Sequence, residues 1–358
     1  MSQTGQAAVE TAIELHERAC EARSAARWGE AEKAAAQALA IFEHEDGPDS
    51  PDVANLSNLL AEVAEAQAQY AIAGAHARRA WEIMERLADR CRGTDAEVIR
   101  REALDRLGAA WRGAGKHAEA ESWLTRALEH AERTGRELPA ALNNLGVLYK
   151  HTGNFAAAER LYRRALGLVE EGSAEAATLH HNMGGLAHAS GKFAEGEQDA
   201  RRAWEIRREL RGAEHPETLA DACAYAAVLD GLGRYEESEP VYRDAIARFE
   251  RMYGAEHLEI AVNLHNLAGV RWARGDAAEA EAFYGRAAAM KEKLLGAAHP
   301  DTALTLHNYA SLVEEQGRAG EARALAQRAR AIFEHVFDPA HPQFVAARRL
   351  CERLESEV

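Results

Sequence analysis

The sequence predicts an all-α fold, a solenoid of about eight helix-turn-helix repeats ending in a C-terminal capping helix. Three observations predict it. Alanine is abundant while aromatics make up 6 % and proline contributes only 8 residues, a balance that favours helix over strand. One alanine recurs at the same place in eight similar segments, as Ala38, Ala80, Ala127, Ala165, Ala203, Ala245, Ala287 and Ala329, with spacings of 42, 47, 38, 38, 42, 42 and 42. Such a period fills the chain with repeats, and its drift by a few residues fits rigid elements joined by adjustable loops. Within each unit, finally, apolar residues follow helical spacing.

The fourth unit shows the pattern best. Leu142, Leu145, Gly146 and Tyr149 fall at i, i+3, i+4 and i+7, one face of a helix. Gly153 and Asn154 break it, and Phe155, Ala158, Leu161, Tyr162, Ala165 and Leu166 line a second helix. The small residues Gly146, Ala158 and Ala165 let the two helices approach closely. The third unit repeats the scheme as Leu104, Leu107, Gly108, Trp111, Ala120, Leu124 and Ala127. Units one and two fit poorly at their first helix, and the second carries one extra residue before Tyr70. His215-Pro216, His299-Pro300 and His341-Pro342, with His257-Leu258 as a variant, mark later unit junctions. Proline suits the first helical turn, where its missing N–H is harmless, and Glu217 and Asp301 put negative charge at the helix start. The junction histidines are expected to cap or pack on the adjacent turn. The domains expected are a solenoid over 7–343 and a capping helix over 344–358, with Phe344, Ala347, Cys351 and Leu354 on its apolar side.

The spacing Leu142-x2-Leu145-Gly146-x2-Tyr149, then Ala158-x3-Tyr162 and Ala165, resembles the tetratricopeptide repeat. With the His-Pro junctions and the segments LHNLAGV and LHNYASL, the repeats of about 42 residues are similar to those of kinesin light chains. The resemblance implies a right-handed superhelix whose first helices line a concave groove, with Asn-bearing positions there contacting peptide.

Composition narrows the function. Lys plus Arg number 43 against 58 Asp plus Glu, a net charge of -15 that argues against nucleic-acid or anionic-membrane partners. No apolar run reaches a membrane span and no export signal opens the chain, so a cytoplasmic protein with four reduced cysteines is expected. There is no HExxH, GxSxG or strand-linked GxGxxG, and the turn at Gly115 and Lys116 lacks the Ser or Thr of a phosphate loop. No catalytic residue, metal or cofactor is expected. A thiolate enzyme built on His181, His188 and Cys223 would need them within hydrogen-bond reach.

In a tetratricopeptide solenoid, one column facing the groove would hold Asp105, Asn143, His181, Cys223, His265 and His307, and the next would hold Asn144, Asn182, Asn266 and Asn308. Neighbouring units lie about 8–10 Å apart, too far for two zinc ligands on one ion. An extended peptide advances about 3.3 Å per residue, so each unit would meet roughly three ligand residues. Asn and neutral His both donate and accept, which suits peptide N–H and C=O groups. The other reading is that these side chains bond only between helices. Further along come Arg112, Lys150, His188, Asp230, Trp272 and Glu314, with Arg106 and His151 nearby. That basic stretch suggests a partner protein or peptide bearing acidic residues or a free carboxylate, with Trp272 as a pocket wall, unless Arg106, Arg112 and Lys150 pair with neighbouring carboxylates. The expected role is a peptide-binding scaffold or adaptor, the alternative a sensor whose superhelix changes shape on binding a signal peptide or small molecule.

Overall fold

The computed structural model describes residues 3–24, 27–67, 69–88, 90, 91, 93–114, 116–135, 138–337, 339 and 341–356. Gly115 and the last two residues of the expected capping segment lie outside these. Among the described residues every regular element is a helix: α1 Gln3–Ser24, α2 Trp28–Glu45, α3 Pro51–Ala66, α4 Tyr70–Arg86, α5 Thr94–Gly113, α6 His117–Thr134, α7 Leu138–His151, α8 Phe155–Leu166, α9 Ala174–Ser190, α10 Phe193–Arg211, α11 Pro216–Gly231, α12 Tyr235–Tyr253, α13 Leu258–Ala273, α14 Ala277–Leu295, α15 Pro300–Glu315, α16 Ala319–Val336 and α17 Pro342–Ser356. The first sixteen follow the repeat pattern in pairs, and α17 follows alone.

The chain forms two compact units, Met1–Leu148 and Tyr149–Val358, divided within α7. In the first, α1 packs on α2, α3 on α4 and α5 on α6, while α3 also touches α5. Its core is alanine-rich, with Leu56, Leu59, Leu60, Ile83 and Met84 supplying the bulk. In the second unit α9 packs on α10, α11 on α12, α13 on α14 and α15 on α16. There α9 also meets α11, α11 meets α13, α13 meets α15 and α15 meets α17, whereas the even-numbered helices show no comparable packing on one another among the described residues. Crowding on the odd layer and splay on the even layer make the odd helices the inner face of this unit.

Local chemistry accounts for the helix starts. His215, His257, His299 and His341 each sit just before a helix and accept through Nδ1 the backbone N–H two residues on, at 3.3, 3.3, 3.1 and 3.3 Å. This satisfies an N–H that the helix leaves orphaned, the task Ser or Asp performs elsewhere, and it requires a neutral imidazole. Ser50 and Ser173 cap α3 and α9 through the hydroxyl. Close approach between layers depends on missing side chains: a Cβ on Gly108 would fall 2.3 Å from Leu124, and one on Gly184 would fall 2.8 Å from the Ala200 Cβ. The α17 helix buries Phe344, Ala347, Leu350, Cys351 and Leu354 against α15 and α16.

Candidate functional site

In the first unit, the expected cations face carboxylates. Arg106 of α5 donates to Glu62 of α3 at 2.6 Å, and Arg23 reaches the same oxygen at 3.2 Å. Arg112 is half-buried and acts with Arg106 to hold down the Glu65 carboxyl, which burial pushes up. Asn144 donates to Asp105 at 3.1 Å, and Arg101 takes the other Asp105 oxygen at 3.0 Å. Asn143 is half-buried beside them in sequence. The basic stretch read from the sequence is therefore charge-balanced here, because α3 places Glu62 and Glu65 beside it.

In the second unit the first column turns out to connect consecutive inner helices. His181 of α9 sets Nδ1 2.7 Å from Oδ1 of Asp221 on α11. The other oxygen of Asp221 accepts from Arg207 Nε at 2.6 Å, and Arg207 continues to Glu217 at 2.9 Å and Thr178 at 3.3 Å. His265 of α13 sets Nδ1 3.1 Å from the Thr305 hydroxyl on α15. Asn308 donates its amide to His265 Nε2 at 3.2 Å, which leaves the ring proton on Nδ1. Thr305 then accepts from both His265 and Lys291, the latter at 3.0 Å, and donates to the Asp301 carbonyl at 3.1 Å. Burial and the Lys291 charge push the His265 pKa well down, in keeping with a neutral ring. Cys223 stands near Asn263, whose amide favours the thiolate, but burial prevails and pushes the thiol pKa far up. An activated thiolate at Cys223 is thus disfavoured, and His181 is engaged with Asp221.

These contacts share one offset. His181–Asp221, Cys223–Asn263 and His265–Thr305 are each 40 residues apart. A column side chain finds a partner where the residue 40 positions later is polar. Forty residues beyond His307 stands Ala347, which offers no hydrogen-bonding side chain, and His307 Nδ1 is a buried atom with no partner among the described residues. Asp221, Arg207, Thr305 and Lys291 were not singled out from the sequence, although this offset was readable there.

The remaining candidates divide. Asn182 is buried on α9. His188 is exposed on the inner layer, with its ring edge-on to Phe193 at 5.6 Å. The protein around it and the nearby Lys150 push its pKa down. Lys150 is half-buried with its ammonium 3.4 Å from where a Cβ on Gly185 would stand, so that glycine keeps the space open. Asn266 is half-buried, and its amide has no partner among the described residues. Trp272 donates its indole N–H to Glu315 at 2.7 Å, and Glu314 accepts from Arg353 of α17 at 2.9 Å. Asp230 accepts from Tyr242 at 2.6 Å, and burial raises its carboxyl pKa to about 6. Among the described residues no group of three acidic, His or Cys side chains is placed to hold a metal ion. No described helix is long and apolar enough to cross a membrane.

A family model described as tetratricopeptide repeat matches residues 100–171, 175–251 and 259–335, leaving the two divergent units outside. No curated protein matches the chain. Among solved structures, a Rap protein complexed with competence and sporulation factor is 15 % identical, covering 98 % of this chain and 98 % of that one at a TM-score of 0.56. The Rap conjugation gene regulator of the plasmid pLS20, in complex with the Phr* peptide, is 13 % identical, covering 78 % and 73 % at a TM-score of 0.61. TPR-like repeats of a Podosopora anserina protein taken to be a kinesin light chain are 22 % identical, covering 55 % and 96 % at a TM-score of 0.41.

Proposed function

The chain belongs to the tetratricopeptide repeat family, and on that premise we propose that it is a cytoplasmic peptide-binding adaptor, without a reaction of its own, that holds an extended segment of a partner on the inner face of its second unit. The observation that carries this reading is the division on that face. His181, His265 and Asn308 are consumed by helix-to-helix bonds, while the Asn266 amide has no partner among the described residues and His188 stays accessible. Asn266 offers a donor and an acceptor at one point, which suits a peptide N–H and C=O. Among proteins of the same fold, the pLS20 Rap regulator holds the Phr* peptide and another Rap protein holds competence and sporulation factor.

The chemistry of the ligand follows from the charges near this face. The Lys150 charge beside His188 favours an acidic residue or terminal carboxylate. Trp272 gives an apolar wall further along α13. The test is a random peptide library displayed against the full chain, with binding of the selected peptides remeasured on Asn266→Ala and His188→Ala variants of unchanged helicity. Affinity is expected to fall about tenfold for each, as expected from losing one or two hydrogen bonds. Equal binding by both variants would remove the inner face as the site. Selection of peptides without acidic residues, or indifference to Lys150→Gln, would remove the carboxylate preference alone.

A ligand-sensing regulator is the second reading, favoured by the pLS20 Rap regulator in its peptide complex. Solution scattering with and without a selected peptide separates the two. A change in radius of gyration supports the sensor, and an unchanged profile supports the adaptor.

A further inference from the structure

A cavity of about 330 Å3 lies between α8, α9 and α10 in the second unit. Phe155, Met183, Leu186 and Ala187 give it an apolar floor, and Asp199 stands in its wall. Met183, Ala187 and Ser190 project from the side of α9 opposite His181 and His188, at 100° per residue, so the cavity is separate from the inner face. A departure from the repeat opens it. Four positions before the repeating alanine, units three, four, six, seven and eight carry Trp123, Leu161, Val241, Phe283 and Leu325, and unit five carries Asp199. One position later, Leu124, Tyr162, Tyr242 and Tyr284 correspond to Ala200, an alanine that unit eight shares as Ala326. On the facing helix His180 stands where Leu104, Leu142, Leu264 and Leu306 stand in other units. An apolar contact has been exchanged for a polar pair with space beside it.

The charges specify the occupant. Glu159 is tied to Arg163 at 2.5 Å and Glu195 to Lys192 at 3.3 Å, so the rim is balanced. His180 Nδ1 lies 2.7 Å from Asp199 Oδ1, which fixes the carboxylate and leaves its second oxygen to accept. One net negative charge beside an apolar floor complements one positive charge on an apolar body. The volume falls at the lower end of small-molecule sites.

We propose that this cavity binds a small organic cation, an ammonium or guanidinium carried on an aromatic or aliphatic body, with Asp199 as its counter-charge and His180 as the residue positioning that carboxylate. The test uses the full chain with 2-phenylethylamine and its neutral analogue 2-phenylethanol, followed by calorimetry and ligand-observed NMR. The amine should bind saturably and at least about tenfold more tightly than the alcohol, the scale of one charge-assisted hydrogen bond. Asp199→Asn should bring the amine down to the level of the alcohol. Asp199→Leu, which restores the apolar residue of the other repeats, should abolish binding of both with the melting temperature maintained. Absence of saturable amine binding in the millimolar range, or equal amine affinity in wild type and Asp199→Asn, would overturn the site and make His180–Asp199 a structural pair only. Neither result bears on the peptide-binding face.

Discussion

At the scale of single residues, energetic weight follows burial and pairing more than residue type. Asp221 and Arg207 are 2 % and 8 % exposed, so removing one leaves the other charged, buried and partly unpaired. Asp221→Ala is expected to cost about 3–5 kcal/mol, read by urea unfolding, and a cost under about 1 kcal/mol would contradict this pairing. Leu145 is buried, and Leu145→Ala should cost about 2–5 kcal/mol. The sequence suggests a similar cost at Phe155, but that ring is half-buried at the edge of the cavity, so Phe155→Ala should cost clearly less. The binding candidates were legible only in part. Spacing put His181, Asn266 and His265 in register, yet which of them stays open depends on the residue 40 positions later. Asp221 and Thr305 engage two of the histidines, and Asn308 engages His265 from its other side.

At the scale of elements, the decisive features are the caps and the close approaches. Gly184 sits against the Ala200 backbone, with Cα and N at 3.1 and 3.2 Å from a Cβ added there, and no flexible side chain can yield. Gly184→Ala should therefore force α9 from α10 and cost about 1–3 kcal/mol, visible as a lowered melting temperature. His215→Ala removes the Nδ1 cap of α11 and should cost about 0.5–2 kcal/mol, whereas His215→Asp should retain most of it. The even-numbered helices are joined by exposed ion pairs such as Arg243–Glu279 at 3.1 Å and Arg328–Glu292 at 2.8 Å. Each is worth only ~0–1 kcal/mol, so these pairs set neighbour alignment more than stability.

At the scale of the whole molecule, the histidines make stability depend on pH. His16, His76, His130, His188, His257, His265, His299 and His307 all have pKa values pushed down, chiefly by burial. The unfolded chain takes up protons near pH 6.5 that the folded chain refuses, so this stability is complete above about pH 6.5 and is lost as pH falls through the lower folded values. Burial raises Glu65, Asp105 and Glu259, and Asp230 to about 6; these act in the opposite sense, chiefly at more acid pH. The melting temperature should fall between pH 7.5 and roughly pH 5.5, the range in which the histidines outweigh the carboxyls. A flat or rising curve would mean that these rings are already charged in the folded state, against the Nδ1 caps made by His257 and His299 and the Asn308 donor on His265 Nε2.

The sequence by itself determined the repeat, the helix pairs and the junction caps, because these rest on local periodicity, on turn residues and on a histidine two residues before the N–H it caps. It also fixed the apolar side of α17, since Phe344, Ala347, Cys351 and Leu354 share one helical face. Only the tertiary structure decided which polar residues of the inner layer are spent between helices, that Glu62 neutralises Arg106, and that Asp199 and Ala200 leave a cavity beside His180. Those outcomes join residues tens of positions apart, and they depend on how closely neighbouring helices pack and what each places opposite the other.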